Sequence, residues 1–353
     1  MSDHDILFLL GPVEVEPELR EIMAMPLIGH RQPAFIEEVK AVCGKLKAFF
    51  LTKAYTLFEN CPATALMDAS VRNLVGERIL HCVGGAFAER WFAVSQACGR
   101  KPEALPVEWG EVVTPDVLRE KLTSSPPFEA VAITYSETST GARAPLKELA
   151  AVVREVAPET LILVDAVSAV GGIELRFDEW GLDLAFAGTQ KCLALPPGLC
   201  VYALSARAME KAKTVPDRGF LWDFERAAKG LAAGKASATP NVPLVFALSR
   251  QLDRIADEGI ENRWRRHLDM LAAVTAWAAE RGHEFLVDEA YRSPTVSCLK
   301  KSGRSVRDLI AKAKEGGFVL GNGYGKLKDE TFRIGHMGDH TVERLQRLLS
   351  LLD

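Results

Sequence analysis

The sequence predicts an α/β protein: a large domain built on a mostly parallel sheet, followed by a small α+β domain. Three observations carry this. Between residues 55 and 205, short apolar runs alternate with longer amphipathic stretches. The short runs are almost continuously apolar, as in strands covered on both faces. Beyond residue 260 the pattern changes to one long helix and then strand, helix, strand, helix.

The runs YTLF (55–58), RILHCV (78–83), VAITY (131–135), LILVD (161–165), DLAFAG (183–188) and LCVYAL (199–204) read as strands. They are rich in Val, Ile, Leu and Phe and are bounded by Gly, Pro or polar residues. Helical patterns fill the intervals at Ala65–Leu74, Ala86–Ala97 and Pro145–Val156, where Pro145 suits a first helical turn. Residues 205–260 read as helices and loops, broken at TPNVP (239–243) because proline removes an amide donor and fixes φ. A long helix over Glu261–Glu280 precedes a strand at Thr295–Leu299, a helix at Ser305–Ala313, a strand at Thr331–Ile334 and a closing helix from Thr341. The expected organisation is an N-terminal segment (1–20) that reaches the site, a large domain (21–258) and a small domain (259–353).

Composition narrows the function. With 353 residues, 48% hydrophobic and 25% charged, the chain is long enough for two cores and is not disordered in composition. A net charge of −4 gives no reason to expect binding to nucleic acid or to an anionic membrane. The run Ile6–Leu10 is too short for a signal peptide, and no apolar stretch approaches the roughly 20 residues of a membrane span. A cytoplasmic protein is expected. The seven cysteines are odd in number and lack CxxC spacing, and the seven histidines form no HxxxH or HExxH pair. Neither a disulfide framework nor a metal site is expected.

In open α/β sheets, ligands sit beyond the carboxyl ends of the strands. Small and polar residues follow five of the predicted strands: Asn60-Cys61-Pro62-Ala63-Thr64, Gly84-Gly85, Ser136–Gly141, Asp165–Ser168 and Thr189-Gln190-Lys191. The sharpest pair is Asp165 and Lys191, 26 residues apart. An aspartate ending a buried strand needs a cationic or hydrogen-bonding partner. Lys191, between AFAGTQ and CLALPPG, sits in apolar company that lowers an amine's pKa and makes it nucleophilic. A lysine amine and a carboxylate are what pyridoxal-phosphate chemistry requires: one anchors the cofactor, the other keeps the pyridine nitrogen protonated. On spacing alone, a capping aspartate and a surface lysine remain equally open readings.

The segments YSETSTG, VDAVSAVGG and AGTQKCLALPPG resemble those of the class V aminotransferases, in particular the alanine–glyoxylate and serine–pyruvate branch. GPVEVEPELREIM, IADEGIENRWRRH and TFRIGHMG extend the resemblance over nearly the whole chain. It implies the fold type I architecture of pyridoxal-phosphate-dependent transferases. By the same resemblance, Lys191 holds the cofactor as a Schiff base and later shuttles the proton, while Asp165 pairs with the ring nitrogen. Phe87 and Val167 cover the two ring faces, Thr138 bonds the cofactor's oxygen side, and Gln190 meets the phosphate. The helix starting near Thr64 receives that phosphate. The family often has a Ser-Gly run here where this chain has Cys61-Pro62, so the cradle falls to Ala63 and Thr64. A neighbouring subunit of a homodimer would complete it with Thr239 or Asn241. Arg333 resembles the arginine that grips the substrate α-carboxylate, and Gly11-Pro12 lets the N-terminal backbone pass close to the substrate.

The resemblance leads to transamination from alanine or serine to a 2-oxo acid such as glyoxylate or pyruvate. His30-Arg31 keeps a second reading open, because the same HR pair serves phosphoserine aminotransferases as a phosphate grip; it also suits a plain loop at the edge of the site. A cysteine desulfurase or lyase fits less well, since Gln190 rather than histidine precedes Lys191 and no cysteine lies in an obvious Gly/Ser-rich loop. A silent cofactor-binding protein is a further reading. A nicotinamide-binding protein is disfavoured because no GxGxxG follows a strand.

Overall fold

The computed structural model describes residues 4–303 and 305–352. The chain opens with a short strand, β1 (Ile6–Phe8), and two helices, α1 (Pro17–Met23) and α2 (Pro33–Phe50). Strand β2 (Tyr55–Glu59) leads into α3 (Ala63–Leu74), β3 (Arg78–Val83) into α4 (Ala86–Ala97), and β4 (Lys101–Pro106) into α5 (Pro115–Ser124). After β5 (Ala130–Thr134) comes a small hairpin, β6 (Ser136–Glu137) and β7 (Ala142–Arg143), and then α6 (Leu146–Val156). Strands β8 (Leu161–Asp165), β9 (Leu184–Gly188) and β10 (Cys200–Leu204) follow, with helices α7 (Ala206–Thr214), α8 (Phe224–Ala232) and α9 (Val242–Glu258). Helix α10 (Ile260–Arg281) leads to β11 (Val296–Lys300), α11 (Val306–Glu315), β12 (Phe318–Asn322), β13 (Thr331–Gly335) and α12 (Val342–Leu352).

The large sheet has the order β2-β10-β9-β8-β5-β3-β4. Strand β10 runs antiparallel to both neighbours, and the other pairs are parallel. The sheet is therefore mixed, mostly parallel with one reversed strand. Every residue of β5, β8, β9 and β10 is buried, which is why those segments read as unbroken apolar runs. Each fully buried Leu, Ile, Val or Phe contributes roughly 1.5–3 kcal/mol, so these central strands form the most stabilised part of the molecule.

The second sheet, β1-β12-β13-β11, makes the smaller α+β unit. Its core gathers Phe8, Met270, Val274, Trp277, Phe318, Phe332 and Leu345 from α10, α12 and three of its strands. Strand β1 joins it by pairing parallel to β12, with Ile6 opposite Phe318. Besides the two-residue strands of the β6–β7 hairpin, three strands escape the sequence reading. β4 is a half-exposed edge strand with prolines at positions 102 and 106, tolerated only because an edge leaves amides unpaired. β1 forms against a partner some three hundred residues away, and β12 sits between it and β13. Among the described residues no helix is long and apolar enough to cross a membrane.

Candidate active site

The carboxyl ends of β2, β3, β5, β8 and β9 open on one side of the large sheet. A cavity of about 310 Å³ lies there, at the lower end of the ~300–1,000 Å³ range of small-molecule sites. Its wall contains Gly11, Ala63, Thr64, Phe87, Thr138, Asp165, Val167, Gln190 and Lys191, which gathers nine of the residues singled out by sequence. Met67, Arg90 and Ser136 complete it beside Pro62.

Asp165 ends β8 between Thr134 of β5 and Phe186 of β9. Its carboxylate is buried and accepts a bond from the Val167 amide at 3.0 Å. Burial, helped by the nearby charge of Glu137, pushes its pKa up to about 7, against the pull of Lys191. No cation lies within ion-pair distance of it among the described residues. A buried acid in that state is stabilised by any cationic donor entering the cavity.

Lys191 follows β9 on a tight turn closed by the Ala194 amide donating to the Lys191 carbonyl at 2.9 Å. The lysine is buried, and burial lowers its amine to about pKa 8, with Arg333 adding to the shift and Asp165 opposing it. Its Nζ donates to the carbonyl of Leu10. Gly11 explains how the N-terminal backbone comes so near: its φ is +112°, and a Cβ there would lie 2.6 Å from Lys191 Cε. Pro12, by contrast, is exposed and joins no wall.

Phe87 is held through its backbone. The amides of Phe87 and Ala88 each donate to Glu137 Oε2 at 3.1 Å, so a carboxylate from the β6–β7 hairpin caps the first turn of α4. Ser139 donates to the other oxygen from its amide at 3.0 Å and its hydroxyl at 2.6 Å. Arg90, one turn further along α4, sits 4.8 Å over the Phe87 ring and donates to the Tyr324 hydroxyl at 3.1 Å. Sequence reasoning missed Glu137, Arg90 and Tyr324. Only Arg90 had a usable signal, its helical i, i+3 spacing from Phe87.

Thr138 shares a 2.6 Å hydrogen bond with Ser168, and its carbonyl accepts from Arg333 Nη1 at 2.8 Å. Arg333, on β13 of the small sheet, also donates from Nε to the Asn322 carbonyl at 2.8 Å. It is 8% exposed and has no carboxylate within ion-pair distance among the described residues. Burial lowers its pKa. Its guanidinium also lies 5.6 Å over the Tyr324 ring. A buried guanidinium hydrogen-bonded to two carbonyls leaves donors for an incoming anion.

Ala63 and Thr64 are the first residues of α3, whose N-cap, Pro62, offers no side-chain acceptor. Besides Pro12 and Arg333, four further expected residues are absent from the cavity wall. His30 is half-buried and Arg31 exposed in the loop before α2. Thr239 and Asn241 are both exposed; the Asn241 amide donates to Asn60 at 2.8 Å, and its side chain caps α9.

The paired acid and amine, the aromatic and aliphatic side walls and the uncapped helix start fit pyridoxal phosphate. The buried Asp165, which has no cation within ion-pair distance among the described residues, is the telling feature.

Comparison with known proteins agrees with this chemistry. The family model described as aminotransferase class-V matches residues 69–317. An aminotransferase of Methanocaldococcus jannaschii, described as uncharacterized, is 35% identical over 94% of this chain and 88% of its own length. The L-aspartate–glyoxylate aminotransferase of Paracoccus denitrificans is 31% identical over 97% of this chain and 88% of its own. The crystal structure of an alanine–glyoxylate aminotransferase from Nostoc sp. superposes with a TM-score of 0.92 at 29% identity, covering 100% of this chain and 95% of that one.

Proposed function

This chain belongs to the class-V aminotransferase family, and we propose that within it the protein moves an amino group from alanine or serine to a 2-oxo acid such as glyoxylate or pyruvate, in a ping-pong cycle. It is a transaminase that uses pyridoxal phosphate. The bound cofactor supplies the electron sink that lets the substrate α-carbon give up its proton. The remaining work falls to side chains of this protein.

Lys191 anchors the cofactor through its amine and, once released, carries the proton between the α-carbon and the cofactor. Its lowered pKa, about 8, suits an amine that must lose and regain a proton near neutrality. Asp165 would pair with the ring nitrogen and keep it protonated, and a cation there would favour the ionised form of its carboxyl. Phe87 and Val167 cover the ring faces, and Thr138 bonds the oxygen side. Ala63, Thr64 and Gln190 receive the phosphate. Arg333 grips the α-carboxylate, and Gly11 allows the N-terminal backbone to close over the site without a side chain in the way.

The observation that carries this reading is Arg333: a buried guanidinium with no carboxylate within ion-pair distance among the described residues, reaching the cavity wall through Thr138. An uncharged donor side chain is favoured by the resemblance of YSETSTG, VDAVSAVGG and TFRIGHMG to the alanine–glyoxylate branch; within this chain neither His30 nor Arg31 lies on that wall. Thr239 and Asn241 are exposed and away from this chain's own cavity. That suits residues of a homodimer that complete the neighbouring copy's phosphate site. A cytoplasmic location and a division near residue 258 belong to the same proposal. The test mixes the cofactor-loaded protein with single amino acids and follows loss of its visible absorption. Rapid loss with alanine or serine is expected; a response to phosphoserine alone would overturn the choice of donor.

A further inference from the structure

We propose that Arg263, which lines no part of the cavity, is a positioning residue that holds the Lys191 turn in its working geometry and ties it to the unit carrying Arg333. The proposal rests on the reading of Lys191 as the cofactor's anchor.

The turn itself needs support. Ala194 adopts φ +50° while fully buried, a left-handed conformation that is strained for a residue with a Cβ. Residues in such conformations persist where surrounding contacts over-determine them. Here the surrounding contact is a guanidinium. Arg263, in the first turn of α10, is 2% exposed and spends its donors on four separate segments. Nη2 donates at 2.8 Å to the carbonyl of Cys192, inside the Lys191 turn, and at 2.8 Å to Asp339 Oδ1. Nε donates at 3.1 Å to the carbonyl of Gly171, in the loop that follows Asp165. Nη1 pairs at 2.8 Å with Glu258 at the end of α9.

Asp339 lies six residues beyond Arg333, and its segment packs directly on the turn: a Cβ on Gly338 would lie 3.0 Å from Ala194 Cβ. The same carboxylate accepts from Gln251 at 3.0 Å and meets Arg254 at 3.4 Å. One planar side chain thus fixes the backbone next to the amine, the loop next to the acid and the segment next to the substrate arginine. Burying such a charge adds little net stability by itself. What the fork geometry does supply is a fixed spacing among its acceptors, which a lysine's single ammonium cannot reproduce.

The test uses the full chain in Arg263→Lys, with thermal melting to verify folding. Two readouts are compared with wild type. The first is kcat and KM for the amino donor. The second needs no turnover: the labelling rate of Lys191 by an amine-reactive reagent in the cofactor-free chain, read by mass spectrometry against the exposed Lys235. The expected result is a kcat loss of tenfold or more, a severalfold rise in KM, and at least a threefold change in Lys191 labelling with Lys235 unaffected. Asp339→Asn, which keeps the size and the acceptor, should shift both readouts in the same direction by less. A folded Arg263→Lys protein with wild-type kcat and wild-type Lys191 labelling overturns the proposal. If Arg263→Lys does not fold, wild-type values in Asp339→Asn overturn it instead. Because labelling is independent of transamination, a wrong donor assignment would leave this readout intact.

Discussion

Replacing Gly11 by alanine tests the site at its closest approach. The new Cβ would sit 2.6 Å from Lys191 Cε, 2.7 Å from Cδ and 3.0 Å from Nζ. Carbon atoms in good contact stand about 3.5–4.0 Å apart, so either the lysine or the N-terminal backbone must retreat by about 1 Å. Misplacing a reacting group by that much costs on the order of a hundredfold in rate, equivalent to about 2.7 kcal/mol of barrier. A second cost is conformational. At φ +112° an alanine is strained by about 1–3 kcal/mol, which lowers the melting temperature without touching chemistry. The two effects separate by assay: thermal melting reads the strain, and kcat at saturating donor and cofactor reads the displacement. We expect a folded protein, less stable than wild type, with kcat reduced about a hundredfold. A Gly11→Ala enzyme with wild-type kcat would show that the Gly11–Lys191 contact does not govern the position of the amine.

Lys191→Ala should abolish transamination and leave the fold intact, and borohydride reduction of the wild-type holoenzyme should label Lys191; a label on Lys211 or Lys235 would refute the assignment. Asp165→Asn should lower turnover by orders of magnitude, because a neutral pyridine is a poor electron sink; near-normal kcat with cofactor saturating would remove that role. Arg333→Ala should reduce kcat/KM at least a hundredfold for every donor, since losing one partner of a buried ion pair costs about 3–5 kcal/mol. Arg31→Ala, altering an exposed side chain away from the cavity, should leave alanine and serine kinetics unchanged; a steep loss for either would place that loop at the substrate. Sedimentation of the holoenzyme should give twice the 38.6 kDa chain mass, and an active monomer would refute the shared site.

The central sheet and the two ionisable groups at its edge, Asp165 and Lys191, were legible because burial leaves a one-dimensional trace. Strands covered on both faces must be apolar throughout, so LILVD and LAFAG stand out, and a charge at the end of such a run needs a reason. Asp165 and Lys191 were readable on those grounds, and Arg333 through its resemblance to a known segment. Glu137 was not. Its role is to accept the amides of Phe87 and Ala88, some fifty residues back, and nothing local in SETSTG reports a partner so remote. Tyr324 and Arg263 were hidden for the same reason, since each acts across the boundary between the two units. His30, Arg31, Thr239 and Asn241 match motifs, but what exposed residues reach depends on a neighbouring molecule, which one chain does not encode in its own contacts.

The pairing of β1 with β12 also constrains the order of events on the ribosome. Ile6 lies opposite Phe318, so the first strand to emerge finds its partner only after some three hundred further residues have been made. The large sheet, complete by Leu204, is free to collapse long before that point. In the interval the nascent chain possesses Asp165 and Lys191 but lacks both Arg333 and a docked Gly11. Closure over so long a loop is entropically slow, and it comes last. Lys191 thus belongs to the sheet that can form early, whereas the segments carrying Gly11 and Arg333 are joined in one sheet through β12, which is made much later.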